Sequence, residues 1–523
     1  MKFPKLTKRK LAIGIPALLL VAADSAALYA YLNYRAIENE VREEFEKTRS
    51  AVDDVIKSAG DVPPVESPFT DWERKLRDGI RAQLADFDPS TDHVAAFEAT
   101  IPKAFTFNSS RYNEENSQLP VDDRDVLGFE YFGRHLYDER DLQALSRRFS
   151  PDWLREMLVF TQPCADAWQQ LCASGLEHFD EIERTKLTQY ALPSFPYERT
   201  ARLMNSRLCV YLVLQDYAAF NREFPIALRG LTALSGGQRA FRPFPAHLTL
   251  GECFRTSFTL FEFALERGGA DEHSIALMES MDTDFSADQL LYAREDALET
   301  MREIREVVDA ADGLTHLIQL FSARRKLSET PFGDEPDLDQ VGVSRFEVFK
   351  AALLEPENLR AVISDTSGLY TVAAGQYVLP DVWPDVAKPD KEAIADALRA
   401  KLGETLRANV DAWSNSSFHW MAASPLLDLM QFHKADRALA RTQRVIVAYR
   451  ALQRGDDPAA IVERINADAN PMLPLPLRAR VHGETIEIVH LNEGDEVLSE
   501  YDLFNIDEVP ASDDPWRVIL TLP

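Results

Sequence analysis

Three observations predict a mainly α-helical chain, in which an irregular, solenoid-like array of helix pairs follows an N-terminal transmembrane helix and ends in a small C-terminal β-sheet. A basic flank, Lys2, Lys5, Lys8, Arg9 and Lys10, precedes an apolar run that opens at Leu11. Apolar residues then recur at helical spacing through most of the body, punctuated by glycine pairs and prolines. Only the tail carries short β-branched runs.

The leader comes first. Its apolar run extends from Leu11 through Leu20 to Ala23 and resumes after Asp24-Ser25 as far as Tyr34. Roughly 20 apolar residues let a helix cross a hydrocarbon core about 30 Å thick. The Lys/Arg excess ahead of the run keeps that side in the cytoplasm, so the body beyond Arg35 is expected outside. Tyr29, Tyr31 and Arg35 fall where an interfacial belt would lie. Asp24 opposes this reading, because a carboxylate near the middle of a span costs about 2.5–3.5 kcal/mol. The alternative is a secretory signal cleaved near Ala23, with Leu11–Leu20 as its apolar region. Either way the body is exported to the envelope.

Residues 36–66 read as a polar stalk helix and a linker, broken at Asp61-Val-Pro-Pro64. Residues 67–328 form a helical body. Ser67-Pro68 and Ser150-Pro151 each combine a cap with a first-turn proline. The stretch from Ile101 to Leu127 is irregular in composition. From Tyr197 the pattern is almost wholly helical, with a tight turn at Gln215-Asp216, an end at Gly236-Gly237, and a further helix from Phe244 to Glu266 stopped by Gly268-Gly269. Ser286 then caps a helix running to Val308. Helix pairs of this kind follow the logic of a solenoid, although no fixed 34-residue period appears. Residues 329–342 form an acidic linker. A second helical region, 343–470, holds long helices from Asp390 to Trp413 and from Pro425 to Arg454, and Gly455 to Pro458 separates the latter from a short one. Residues 471–523 are the β segment, with strands expected at Leu477–His482, Thr485–Leu491 and Trp516–Leu522.

Charge and motifs exclude more than they assign. The chain of 523 residues carries a net charge of −28, and no basic stripe follows the leader, which argues against nucleic acid. Arg324-Arg325-Lys326 reads as a solvated helix end. No dinucleotide fingerprint, P-loop, GxSxG or HExxH occurs, so the sequence assigns no catalytic residue, cofactor or metal site. His419 and His433, with Asp428 nearby, flank an expected inter-helix turn, and His482 and His490 could face each other across a hairpin. Both pairs fit surface roles better than metal ligation. Asn492 to Glu496 reads as a solvated acidic loop, and the aromatic pairs Phe195/Tyr197, Phe241/Phe244 and Phe418/Trp420 as core plugs. Cys164, Cys172, Cys209 and Cys253 show no zinc spacing. Cys164 and Cys172, eight apart on one helix, lie about 12 Å from each other and cannot bond. A bridge from either to Cys209 or Cys253 is open in an oxidising compartment, as is the alternative of buried free thiols.

The order of parts resembles a group of uncharacterised bacterial envelope proteins with an N-terminal anchor, a TPR-like body of helix pairs and a small C-terminal β segment. Tyr197–Leu234, Ser286–Asp312 and the helix containing Lys434–Arg441 and Val447–Arg450 carry that resemblance. The group's Tyr-Pro turn is replaced here by Arg454-Gly-Asp-Asp-Pro458, and only Asp514-Pro515-Trp516 remains of its DP-F/W-G loop. The resemblance implies the inner membrane as the site of attachment, with a periplasmic body. The expectation is a membrane-anchored helical scaffold that binds other envelope proteins. An envelope-polymer hydrolase without a sequence motif, or a small-ligand-binding helical bundle, are the alternatives.

Overall fold

The computed structural model describes residues 8–59, 70–100, 150–174, 195–236, 245–281, 419–467, 477–482, 485–490 and 517–521, with isolated positions between 285 and 401. The chain is mainly helical and ends in a three-stranded antiparallel sheet. Two compact units interleave along it. Unit 1 takes Met1–Val65, Leu187–Ala191 and Leu290–Pro425, and unit 2 takes Glu66–Lys186, Leu192–Gln289 and Leu426–Pro523.

Unit 1 is organised on α1 (Lys8–Ala59), a single unbroken helix. Every side chain from Leu20 to Tyr29 is exposed, whereas Ala30, Ile37 and Val52 are buried. Arg49 reaches Asp309 at 2.6 Å, and Asp53, one turn on, reaches Arg305 at 3.2 Å. The stretch expected as a stalk is therefore continuous with the leader and packed within this unit. Among the described residues no helix is long and apolar enough to cross a membrane. The side chains of residues 8–19, Leu11 included, lie outside the described residues, as does the expected linker 329–342.

Unit 2 contains α2 (Thr70–Ala82), α3 (His93–Glu98), α4 (Pro151–Ala173), α5 (Phe195–Val213), α6 (Tyr217–Gly236), α7 (Pro245–Glu266) and α8 (Glu272–Glu279). Later in the chain come α9 (His419–Gln453), which enters this unit at Leu426, and α10 (Pro458–Ala467). Local chemistry sets the boundaries. Ser150 Oγ accepts from the Trp153 N–H at 3.2 Å, with Pro151 in the first turn, where its missing N–H is not needed. Gln215 adopts a left-handed φ of 60° and Asp216 accepts from the Ala219 N–H at 3.1 Å, which stops α5 and starts α6. Gly455, at φ 76°, closes α9 where a side chain would be strained.

Helix α5 packs against α6 and α7, α6 also meets α7, and α4 lies across α5 and α6. Phe220, Phe224 and Phe261 stack in series at 5.5 and 5.1 Å between these helices, all fully buried. Each such ring contributes about 1.5–3 kcal/mol on burial. The approach of α4 to α6 requires Gly230, because a Cβ there would stand 2.5 Å from Cζ2 of the buried Trp168.

The sheet follows the order β1 (Leu477–His482), β2 (Thr485–His490), β3 (Arg517–Thr521), within one residue of the expected runs. Ala479, Ile488 and Val518 are in register, as are Ile486 and Leu520, and all five side chains are buried. Helix α10 packs on β1 and α7 on β3. Asn466 binds the outer edge of β1 through both ends of its amide, donating to Ala479 O at 3.0 Å and accepting from Ala479 N–H at 2.7 Å. On the opposite edge, the Ile519 N–H donates to Glu266 Oε1 at 2.6 Å. Such contacts satisfy backbone groups that would otherwise invite another strand.

Candidate functional site

Unit 2 buries three arginines, Arg207 on α5, Arg229 on α6 and Arg441 on α9, each at most 1% exposed. A guanidinium taken out of water costs several kcal/mol unless it is paired and its donors are satisfied. Each of the three meets a buried glutamate.

Arg207 is the most extensively bonded. Its Nε and Nη2 donate to Glu223 Oε2 and Oε1, both at 2.8 Å. Nη1 donates to Thr161 Oγ1 at 2.6 Å and Leu158 O at 2.9 Å, and Nη2 also reaches Gln162 Oε1 and Tyr211 Oη. The Tyr211 hydroxyl donates onward to Glu223 Oε1 at 2.5 Å. Burial alone would lower the Arg207 pKa, but the hydrogen bonds and charge of Glu223 more than offset it and hold the guanidinium protonated. Burial, reinforced by the Glu223 charge, pushes the Tyr211 hydroxyl upward, so it remains a donor. One side chain thereby ties α4, α5 and α6.

Arg229 Nη1 pairs with Glu73 of α2. Burial raises the Glu73 carboxyl above its ordinary range, against the opposing pull of Arg229. Arg441 donates from Nε and Nη2 to Glu262 Oε1 and Oε2, both at 2.9 Å, and Thr442 Oγ1 adds a bond of 2.6 Å to the same carboxylate. These clusters are internal braces between helices. Glu223 and Glu262 have both oxygens engaged by guanidinium, a poor setting for a general base, which needs a free lone pair within reach of its substrate.

The four cysteines lie on α4 (Cys164, Cys172), α5 (Cys209) and α7 (Cys253) as buried thiols outside any disulfide. Burial pushes Cys172 up to about 12 and also raises Cys164 and Cys209. Protonated thiols in such settings pack as small apolar groups and are poor nucleophiles.

Two histidine expectations are corrected. His419, Asp428 and His433 all belong to α9, so no turn separates them, and fourteen helical residues place the two histidines about 21 Å apart. His482 pairs with Thr485 and His490 with Leu477, at opposite ends of the β1–β2 ladder, so these positions do not face each other. Among the described residues no group of three or more His, Cys, Asp or Glu is arranged to hold a metal. The loop Asn492–Glu496, the basic run Arg324–Lys326 and Phe241, Phe244 and Phe418 lie outside the described residues, as do the side chains of Phe195, Tyr197 and Trp420.

The candidate surface is on α1. Leu20, Val21, Leu28 and Leu32 are each more than half exposed, and Tyr29 and Tyr31 accompany them. At 100° per residue, Leu20, Leu28, Leu32 and Tyr29 fan over about 180° of the helix. Tyr34 is partly buried. Arg35 Nε donates to Tyr31 Oη at 3.2 Å, with its guanidinium 5.7 Å from the ring centre, where the amphipathic pair presents an apolar body and a polar tip. No protein-family model, curated protein or solved structure matches this chain.

Proposed function

We propose that this chain is a single-pass membrane protein, anchored in a bacterial inner membrane through Leu11–Tyr34, whose periplasmic helical body is a scaffold for other envelope proteins. The observation that carries the anchor is the exposure of Leu20, Val21, Leu28 and Leu32 along an unbroken helix. So much apolar surface is costly in water and favourable in lipid. The order of parts, similar to the envelope proteins with helix-pair bodies, agrees with this reading.

The scaffold reading draws on the packing of α5 and α6 as a pair, with α7 laid against both and α8 following it. Helix α8 in turn meets α6, and helix-pair arrays bind partners by surface rather than by a reactive group. Crosslinking of the full chain in intact envelopes, followed by mass spectrometry, tests it. The expected result is one or more recurring partners, joined in stoichiometric amount through residues of unit 2. An intact, membrane-associated chain that repeatedly yields no such partner contradicts it.

A further inference from the structure

Along the unbroken helix α1, Ala30 and Ile37 share one face and are buried, whereas Tyr31, Leu32, Arg35 and Ala36 between them are exposed. We propose that unit 1 rests directly against the lipid headgroups, with no free-standing stalk between body and bilayer. This rests on the anchoring reading above and adds the position of the body, together with the lipid surface that it touches.

With the apolar segment to Leu28 in hydrocarbon, Tyr29 to Tyr34, a rise of about 7.5 Å, occupy the headgroup layer, about 5–8 Å deep on each side of the membrane. The eight steps from Tyr29 to Ile37 rise about 12 Å. Ala30 is already 5% exposed and Ile37 only 2%. Unit 1 therefore covers one face of α1 from Ala30, within the headgroup layer, to Ile37, about 4–7 Å beyond its outer limit. A stalk would leave Ile37 in water.

The ion pairs Arg49–Asp309 and Asp53–Arg305 then fix the rotation of α1 within unit 1, so the face turned to the membrane is constant. Among the described side chains, Glu40, Arg42, Glu43 and Glu46 are the exposed charges next above the belt, three acids to one base. Anionic headgroups are repelled by that balance, and a zwitterionic surface such as phosphatidylcholine or phosphatidylethanolamine fits it.

The test is thiol reactivity of the full chain in phosphatidylcholine vesicles, with a polar maleimide on both sides and peptide-resolved mass spectrometry to separate the four native buried thiols. Glu40→Cys is expected to react fast. Leu28→Cys is expected to be blocked by hydrocarbon, and Ile37→Cys to react at least about tenfold more slowly than Glu40→Cys, because a buried thiol ionises and meets reagent poorly. Ala30→Cys repeats the reading with a smaller change, should Ile37→Cys loosen the packing. If Leu28→Cys is blocked while Ala30→Cys and Ile37→Cys react as fast as Glu40→Cys, the body stands off on a stalk and the inference fails, with the anchor intact. If Leu28→Cys itself reacts at the Glu40→Cys rate, the segment is outside the bilayer and the anchoring reading fails with it.

Discussion

Arg207 and Glu223 stand sixteen residues apart on the two arms of the α5–α6 hairpin and meet through two parallel hydrogen bonds of 2.8 Å. The geometry is that of a guanidinium–carboxylate fork, the strongest form such a pair takes, because both charges are assisted by well-aligned donors. The same relation recurs between Arg441 and Glu262, which joins α9 to α7 across 179 residues of sequence.

Breaking one partner of these forks is expected to cost more than removing both. Glu223→Ala leaves a buried guanidinium without its counter-charge and destabilises unit 2 by about 3–5 kcal/mol. The double variant Arg207→Met with Glu223→Leu recovers most of that loss, since apolar packing replaces both desolvated charges. Denaturant titration followed by circular dichroism checks the cycle. A single variant that costs less than about 1 kcal/mol would show that the fork is not needed.

Gly230→Ala is expected to lower stability by about 1–3 kcal/mol, the usual consequence of overpacking a filled core. The new methyl would stand 2.5 Å from Trp168 Cζ2, and the ring is fully buried with nowhere simple to go. Adding Trp168→Phe to Gly230→Ala makes room and is expected to return part of the loss. Equal melting temperatures for the wild type and Gly230→Ala would contradict this packing.

Acid is expected to loosen the contact between α8 and α9. Arg450 binds Glu272 through Nη1 and Nη2 at 2.5 Å each, and Glu279 through Nε at 3.0 Å. Those hydrogen bonds hold the Glu272 carboxyl below its ordinary value of 4.5. A folded-state value below the unfolded one stabilises the chain above the unfolded pKa, and the contribution disappears as pH falls through the folded one. The melting temperature of Glu272→Gln should therefore lie below that of the wild type at pH 6–7 and converge with it well below pH 4.5. A constant gap across that range would mean that Glu272 does not titrate as described.

The helix ends were legible in sequence because they depend on neighbouring residues. Ser150-Pro151, Gln215-Asp216, Gly268 and Gly455 each act within one turn, through a side-chain cap or a left-handed φ. The three strands were legible for a similar reason, as short β-branched runs. The braces were not. Arg207 is a charged residue amid Leu203, Met204 and Leu208, and nothing local tells that its partner lies on the next helix. The one available clue was its spacing from Tyr211, which puts both side chains on one face of α5. The interleaving of two units was hidden as well, because it arises from contacts such as Arg441–Glu262 that no window of sequence contains. Histidine pairing failed at register, which moved His482 and His490 to opposite ends of a ladder.

Whether α1 carries the rest of the chain across the inner membrane is measured most directly by reporter fusions behind Pro523. Alkaline phosphatase, which folds only in an oxidising compartment, should be active there, and a green fluorescent protein at the same position should stay dark. A bright fluorescent fusion beside an inactive phosphatase would place the body in the cytoplasm and contradict the account.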